Sequence, residues 1–181
     1  MRTWIISDTH FHHAKIIEYC DRPFKDVNHM NEAMIERWNE VVGEGDVVWH
    51  LGDFGFFKDV NHMRLTTDRL NGKKNIILGN HDRFKPTQFM EGGFQWASRF
   101  PIIFDEFFIL SHEPKFLESN SPYFVFYGHF HQKFYVDAKS LNYWNCCAEV
   151  QDYRPIDFDD LRERARRGAL QLQFSPSTLS K

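Results

Sequence analysis

Side chains able to do chemistry gather in five short blocks of this 181-residue sequence: Asp8-Thr9-His10, Gly52-Asp53, Gly79-Asn80-His81-Asp82, Ser111-His112 and Gly128-His129-Phe130-His131. The blocks supply two carboxylates (Asp8, Asp53), one amide (Asn80) and four imidazoles (His10, His112, His129, His131), with His81 beside the amide. Oxygen and imidazole donors without thiolate suit Mn²⁺, Fe or Zn²⁺ in a reactive site rather than a structural zinc. Seven donors are too many for one catalytic ion. They suit two ions sharing one bridging carboxylate. His129 and His131 lie two apart, so on a strand both would share one face.

Such donors converge only if the chain places them at one edge. Arg2–Ser7, Val47–Leu51 and Asn75–Leu78 read as short buried strands, and the first three blocks follow them directly. Between them, Val27, Met30, Met34, Ile35, Trp38, Val41 and Val42 recur at helical steps, stopped at Gly43. A shorter helix is predicted at Ala14–Cys20 and another at Val60–Leu70. The resulting βαβαβ order predicts a parallel sheet, whose ligands collect beyond the strands' carboxyl ends. The second half predicts a hairpin of Phe100–Phe104 with Phe107–Leu110. Strands follow at Tyr123–Tyr127, Lys133–Val136 and Asn142–Ala148, and a helix at Asp157–Arg167. Phe24-Lys-Asp-Val-Asn-His-Met30 recurs as Phe57-Lys-Asp-Val-Asn-His-Met63, and reads as one helix-start signal used twice.

Composition sets the outer bounds. Apolar residues make up 42% and charged residues 26%, which excludes a disordered tail, a collagen-like fibre and a disulfide scaffold. The length fits one domain, residues 1–181. Three cysteines, two of them neighbours (Cys146, Cys147), predict a reducing, cytoplasmic setting. Trp4-Ile5-Ile6 before Ser7-Asp8 predicts no secretory leader, and no apolar run is long enough to span a membrane. A net charge of −3 without a basic run argues against long nucleic acid as partner. The sequence leaves the oligomeric state open.

Taken in order, Asp-x-His, Gly-Asp, Gly-Asn-His-Asp, a single His and Gly-His-x-His resemble the calcineurin-like metallophosphoesterases. The Ser7–Phe11 opening and the Trp49–Phe54 block resemble a compact bacterial and phage branch of that family. The five blocks run from residue 8 to residue 131, about two thirds of the chain. The resemblance implies an α/β fold with two stacked mixed sheets flanked by helices, an α/β/β/α sandwich. It implies Asp8, His10 and His131 at a first metal, Asn80, His112 and His129 at a second, and Asp53 between them. Mn²⁺ is the favoured ion, with Fe, Zn²⁺ or Ni²⁺ as alternatives. His81 would act on the substrate phosphoryl group or its leaving oxygen. The implied reaction is phosphoester hydrolysis by direct attack of metal-bound hydroxide, with no protein nucleophile.

Departures from the family narrow the substrate. The phosphoprotein-phosphatase branch follows Gly-Asp with Asp-Arg-Gly, whereas Asp53 here is followed by Phe54-Gly55-Phe56-Phe57. Without that arginine, a small phosphodiester such as a nucleotide derivative is favoured. The alternatives are a phosphomonoester, a nuclease substrate, or a non-catalytic interaction scaffold on the same fold. The complete donor set and His81 weigh against the scaffold. His13 and Arg83 are the expected substrate contacts, and Arg22 or Arg99 could reach the site from a distance. His12 stands where this branch has a glycine. His50 reads as a satisfied core histidine, and His29 and His62 as surface residues. Phe54, Phe56 and Phe57 read as core rather than as a shelf for a base, and Cys146-Cys147 as small buried hydrophobes.

Overall fold

The computed structural model describes residues 1–118, 120–133 and 142–166. The first half runs β1 (Thr3–Ile6), α1 (Lys15–Tyr19), α2 (Val27–Val41), β2 (Val47–His50), α3 (Val60–Thr67), β3 (Lys73–Ile77), α4 (Pro86–Glu91) and β4 (Trp96–Ser98). The second half runs β5 (Ile102–Phe104), β6 (Phe108–Leu110), β7 (Phe124–Tyr127), β8 (Tyr143–Asn145), a 3₁₀ turn (Ala148–Gln151), β9 (Ile156–Asp157) and α5 (Phe158–Arg166). One sheet has the order β4-β3-β2-β1-β9 and the other β5-β6-β7-β8. Both are mixed: β9 runs antiparallel to β1, and β5 antiparallel to β6, while the remaining pairs are parallel. The two mixed sheets with flanking helices are those expected from the sequence.

Alternation along the strands builds two cores. Trp4, Ile6, Val48, Ile76 and Leu78 pack against Ile16, Met30, Met34, Trp38, Met63 and Phe89 of α1–α4. Ile5, Leu51 and Ile77 point the other way, onto Phe108, Leu110, Phe126, Trp144 and Cys146 of the second sheet. Phe158, Leu161 and Ala165 of α5 complete that second core. A buried period-two strand must serve two partners at once, which fixes its register. On the outer side of the second sheet, Val125, Tyr127 and Tyr143 lie under Leu117.

The repeated heptapeptide does what its composition predicts. Asp26 caps α2 by accepting from the His29 N–H at 2.8 Å, and His29 Nδ1 accepts from Lys25 N–H at 3.3 Å. Asp59, His62 and Lys58 repeat the arrangement at α3 with the same distances. Each histidine reaches back as Glu or Gln does in a capping box, but to the N–H of the residue before the N-cap. Sequence patterning left α4 and β4 unassigned, because elements of six and three residues carry too little periodicity to read. The expected strand at Lys133–Val136 falls outside the described residues beyond Lys133, as does Arg167 at the end of the last helix. Among the described residues no helix is long and apolar enough to cross a membrane.

The amino-terminal ends of β1 and β2 are pinned together by one carboxylate. Asp46 accepts from Arg2 N–H at 2.7 Å, Trp4 Nε1–H at 3.0 Å and Gly43 N–H at 3.1 Å. The Arg2 and Trp4 donors, with Gly43, lower its pKa to about 2. A carboxyl held below its unfolded value stabilises the fold above that value and loses the effect as pH falls. Asp46→Ala should therefore cost about 1–2 kcal/mol in urea denaturation at pH 7. The gap between variant and parent should shrink as pH drops from about 4 to 2. An equal gap at both pH values would show that the charge plays no part.

Candidate metal centre

β1, β2 and β3 are parallel neighbours, so Asp8, Asp53 and Asn80 emerge side by side at their carboxyl ends. The second sheet is stitched to this edge. Ser7 N–H donates to the Cys146 carbonyl at 2.8 Å, and Ala148 N–H to the Ser7 carbonyl at 2.9 Å. That seam brings His112, after β6, and His129 and His131, after β7, over the ends of the first three strands. Two glycines permit the approach. A Cβ on Gly79 would strike the Asp53 carboxylate and lie 2.6 Å from its backbone nitrogen, and one on Gly128 would strike Ser7 and Asp8.

The chain turns sharply at each strand end. Asp8, His10, Asp53, His129 and His131 have φ of 56°, 51°, 56°, 72° and 52°. Left-handed backbone costs a non-glycine residue about 1 kcal/mol or more, and persists where surrounding bonds over-determine it. Here Asp8 N–H donates to the Gly52 carbonyl (2.9 Å), His10 N–H to the Asp53 carbonyl (3.0 Å) and His129 N–H to Asp8 Oδ2 (2.9 Å).

The first cluster is formed by Asp8, His10 and His131, whose donor atoms lie within 4.8 Å of one another. Asp8 Oδ2 is fully engaged by Ser7 Oγ at 2.5 Å, His129 N–H and Cys147 Sγ at 3.3 Å. Asp8 Oδ1 and both ring nitrogens of His10 are buried without a hydrogen-bond partner. The Asp8 Oδ1 and His10 Nε2 atoms face each other at 3.8 Å. Burial, then the charge of Arg22, pushes the His10 pKa well below its usual value, so the ring is neutral and offers a lone pair.

The second cluster is formed by Asn80, His112 and His129. His112 Nδ1–H donates to the Leu51 carbonyl at 2.9 Å, which leaves Nε2 of the neutral ring unprotonated. That lone pair faces Asn80 Oδ1 at 2.8 Å, His129 Nδ1 at 3.3 Å and Asp53 Oδ2 at 3.5 Å. Asn80 Oδ1 is also 3.0 Å from His129 Nδ1. Acceptors turned toward one another at these distances fit a shared cation with bonds of about 2.0–2.2 Å.

Asp53 belongs to both clusters. Its Oδ1 accepts from His81 N–H at 2.8 Å. Its Oδ2 lies 3.7 Å from His10 Nε2 and 3.5 Å from His112 Nε2. Burial first, and then the Asp8 carboxylate, raises its pKa against the opposing pull of His112. All seven donors expected from the sequence are thus brought together.

Comparison with known proteins agrees with this geometry. The calcineurin-like phosphoesterase superfamily domain matches residues 1–148. The chain belongs to that superfamily. An uncharacterized protein of Methanocaldococcus jannaschii is 33% identical over 175 residues, 92% of this chain and 93% of its own. The Gene 66 protein of Mycobacterium phage D29 is 41% identical over 85 residues, 46% of this chain and 41% of its own. The crystal structure of a protein of unknown function from Aquifex aeolicus has the same fold, with a TM-score of 0.66 and 24% identity over 90% of this chain and 98% of that one. The superfamily implies divalent metal ions, and the two clusters supply donors for them.

In this calcineurin-like domain, several supporting residues escaped the sequence reading. Glu149, from the 3₁₀ turn, accepts from His131 Nδ1 at 2.9 Å and from Arg22 at 2.7 Å. Arg22 is buried beneath the site and donates to the Asp8 carbonyl (2.7 Å) and the Thr9 carbonyl (2.8 Å), bracing the strained turn from below. Burial opposes the charge on His131, but Cys20 and Glu149 raise its pKa to about 10, so a cation there competes with a proton. Asp82 accepts from Gly79 N–H (2.8 Å), Asp53 N–H (2.8 Å) and Phe54 N–H (3.1 Å), latching the second loop to the third. His50 is the expected core histidine. Gly52 N–H donates to its Nδ1 at 3.2 Å, so Nε2–H donates to Thr9 Oγ1 at 3.0 Å, and the threonine in turn to the Phe54 carbonyl at 2.8 Å.

His12, in place of a glycine, keeps the glycine conformation at φ 64°. Its ring turns away from the metal cluster, held by Asn31 at 3.1 Å and Thr66 at 2.9 Å. His13 lies beside the cluster, its ring 5.4 Å from that of His10 and stacked at 4.1 Å on Phe56. Phe56 is a correction to the core reading. Unlike buried Phe54 it is half exposed, 5.9 Å from the His81 ring, with the Arg83 guanidinium 5.4 Å above its face.

Glu149 gives the supporting shell a test. Glu149→Gln should weaken divalent-metal binding by about 10–100-fold, as loss of a carboxylate behind a ligating histidine generally does. It should also lower thermal stability, because Arg22 would be left buried without its counter-charge. Metal titration calorimetry alongside a melting curve reads both. Unchanged affinity with lowered stability would make Glu149 a partner of Arg22 alone.

Proposed function

We propose that the chain is a dinuclear, divalent-metal-dependent phosphoesterase that hydrolyses a small phosphodiester, with a nucleotide derivative as the favoured class. The observation that carries this reading is the position of Asp53 Oδ2 between the two clusters, 3.7 Å from His10 Nε2 and 3.5 Å from His112 Nε2. Asp8, His10 and His131 would hold one ion, Asn80, His112 and His129 the other, and Asp53 both. Mn²⁺ fits the imidazole-rich donors better than the harder Mg²⁺. Bound there, two divalent ions supply Lewis acidity, polarising the phosphoryl oxygens and acidifying water.

The chain's own residues set the geometry and move the proton. The His81 backbone is tied to Asp53 while its imidazole is exposed over the cluster, 5.7 Å from the His10 ring. On this reading it would protonate the departing alkoxide. Asn80 contributes an oxygen without adding negative charge beside an anionic substrate. His13 and Phe56 wall the side of the cluster nearest His10 and His81. Arg22, a candidate phosphate clamp from the sequence, is committed to Asp8, Thr9 and Glu149 and cannot serve. Arg83, stacked over Phe56, remains at the rim as a substrate contact. Among the described residues the monoester's second charge thus finds no uncommitted buried arginine or lysine, which favours the monoanionic diester.

His81→Ala should keep both metals and lose about 10²–10⁴ in rate, the usual worth of general acid catalysis. The loss should shrink for nitrophenolate relative to alkoxide leaving groups. Asp53→Asn should instead lose metal at both sites, read by elemental analysis. A His81→Ala variant without metal would place that residue in the wrong role. With Mn²⁺, bis(nitrophenyl) phosphate should be cleaved with higher kcat/KM than nitrophenyl phosphate at pH 7–8. A tenfold preference for the monoester would overturn the diester assignment.

A further inference from the structure

A cleft of about 320 Å³ opens on the Asn80–His112 side of the centre. Its walls are the end of β3 and the Gly79-Asn80 turn on one side, and Ser111, His112, Glu113 and Lys115 on the other, with Arg99 and Pro101 between. We infer that this cleft receives a second anionic group of the substrate, held by Arg99 and Lys115. The inference rests on the phosphoesterase reading and adds the class of substrate: a phosphoester whose organic part carries another phosphate or a carboxylate.

Three observations carry it. First, the cleft shares Asn80 and His112 with the second cluster but not Asp8, His10 or Asp53. It therefore lies beside the reacting phosphoryl group rather than over it, where a substituent of that group must go. Second, its charged lining is two cations against one carboxylate, Glu113. The Lys115–Glu113 pair is long, 4.0 Å between Nζ and Oε2, and both ends are largely in water, so it neutralises Lys115 only weakly. Third, Arg99 is exposed but tethered. One of its Nη2–H groups donates to the Phe84 carbonyl at 3.1 Å, which anchors the side chain beside the Gly79–Lys85 loop and leaves most of the guanidinium donors for a ligand. A planar fork set beside a mobile point charge suits an oxyanion with several acceptor oxygens. The size sits at the lower end for ligand pockets, enough for one polar substituent and its linker.

The opposite side of the centre is built differently. There Phe56, His13 and His81 present rings, and Arg83 lies over Phe56. The two sides therefore divide the labour: rings on one flank, an anion pocket on the other.

The test uses a matched pair of chromogenic diesters, thymidine 5′-(4-nitrophenyl phosphate) with and without a 3′-phosphate, on the Mn²⁺-loaded full chain. The added phosphate should raise kcat/KM about tenfold or more, the order of one charge-assisted contact. In the Arg99→Ala/Lys115→Ala double variant the ratio between the two substrates should fall to near one. A ratio near one in the parent, or a ratio that survives in the double variant, overturns the inference. Calorimetry of thymidine 3′,5′-bisphosphate against thymidine 5′-phosphate gives the same ratio without turnover. If neither diester is cleaved but the bisphosphate binds about tenfold tighter and loses that margin in the double variant, the hydrolase reading fails and the anion pocket stands. Equal binding of the two nucleotides overturns the pocket whatever the activity.

Discussion

One carboxylate oxygen organises this molecule. The Asp53 side chain is buried, its pKa is raised by burial and by the Asp8 carboxylate, and its Oδ2 lies between imidazole nitrogens of His10 and His112. Left to itself a chain would rotate such groups toward donors, because an unsatisfied buried acceptor costs about 1–3 kcal/mol. Four of the seven candidate ligands are kept from doing so by a bond at their other end. Asp8 Oδ2 is taken by Ser7 and His129, Asp53 Oδ1 by His81, His112 Nδ1 by Leu51, and His131 Nδ1 by Glu149. What remains points inward. A set of acceptors held against its own preference could hold a cation, and the two cores on either side of the first sheet supply the rigidity that holds it.

The same constraint explains where the strain sits. The ligands must leave three adjacent strands and turn back over their ends within one or two residues. That demands left-handed backbone at Asp8, His10 and Asp53, and again at His129 and His131. The loops then approach so closely that Gly79 meets the Asp53 carboxylate and Gly128 meets Asp8. The glycines of the Gly-Asn-His-Asp and Gly-His-x-His blocks are thus there for space, each yielding room to a ligand from another block. His12 shows the converse. The left-handed position that invites glycine accepts histidine because Asn31 and Thr66 engage both ring nitrogens and Asn31 also accepts from the His12 N–H at 3.0 Å.

These relations divide what could be read from sequence from what could not. The convergence of the seven candidate donors was legible because metal chemistry restricts residue type and strand ends restrict position. The parallel half of the fold was legible because each buried strand ends in a polar block. Glu149 was not, since nothing in Ala148-Glu149-Val150 marks it, and only the seam between β1 and β8 carries it beneath His131. Asp82 was visible as part of a motif, but its task of receiving three backbone N–H groups from two loops exists only in three dimensions. Phe56 misled in the other direction. In a chain with 19 phenylalanines, core is the better expectation for any one of them, and alternation alone does not show that Phe54 turns inward while Phe56 turns to the site.

The arginines close the argument about substrate. Sequence alone could not say which distant arginine reaches the centre, and the fold separates them by the partners they already have. Arg22 spends its guanidinium on two backbone carbonyls and Glu149, so it stabilises the Asp8 turn and offers nothing to a phosphate. Its positive charge still acts at a distance, helping to keep His10 neutral and therefore able to donate a lone pair. Arg83 lies over an aromatic face at the rim, where water screens it. Arg99, also exposed, combines one backbone tether with free donors and a cleft to serve. The positive side chains are thus withheld from the scissile phosphoryl group and placed where a neighbouring substituent would lie. On the phosphoesterase reading, a site arranged this way would discriminate by what the phosphoester is attached to, more than by the charge on the phosphorus.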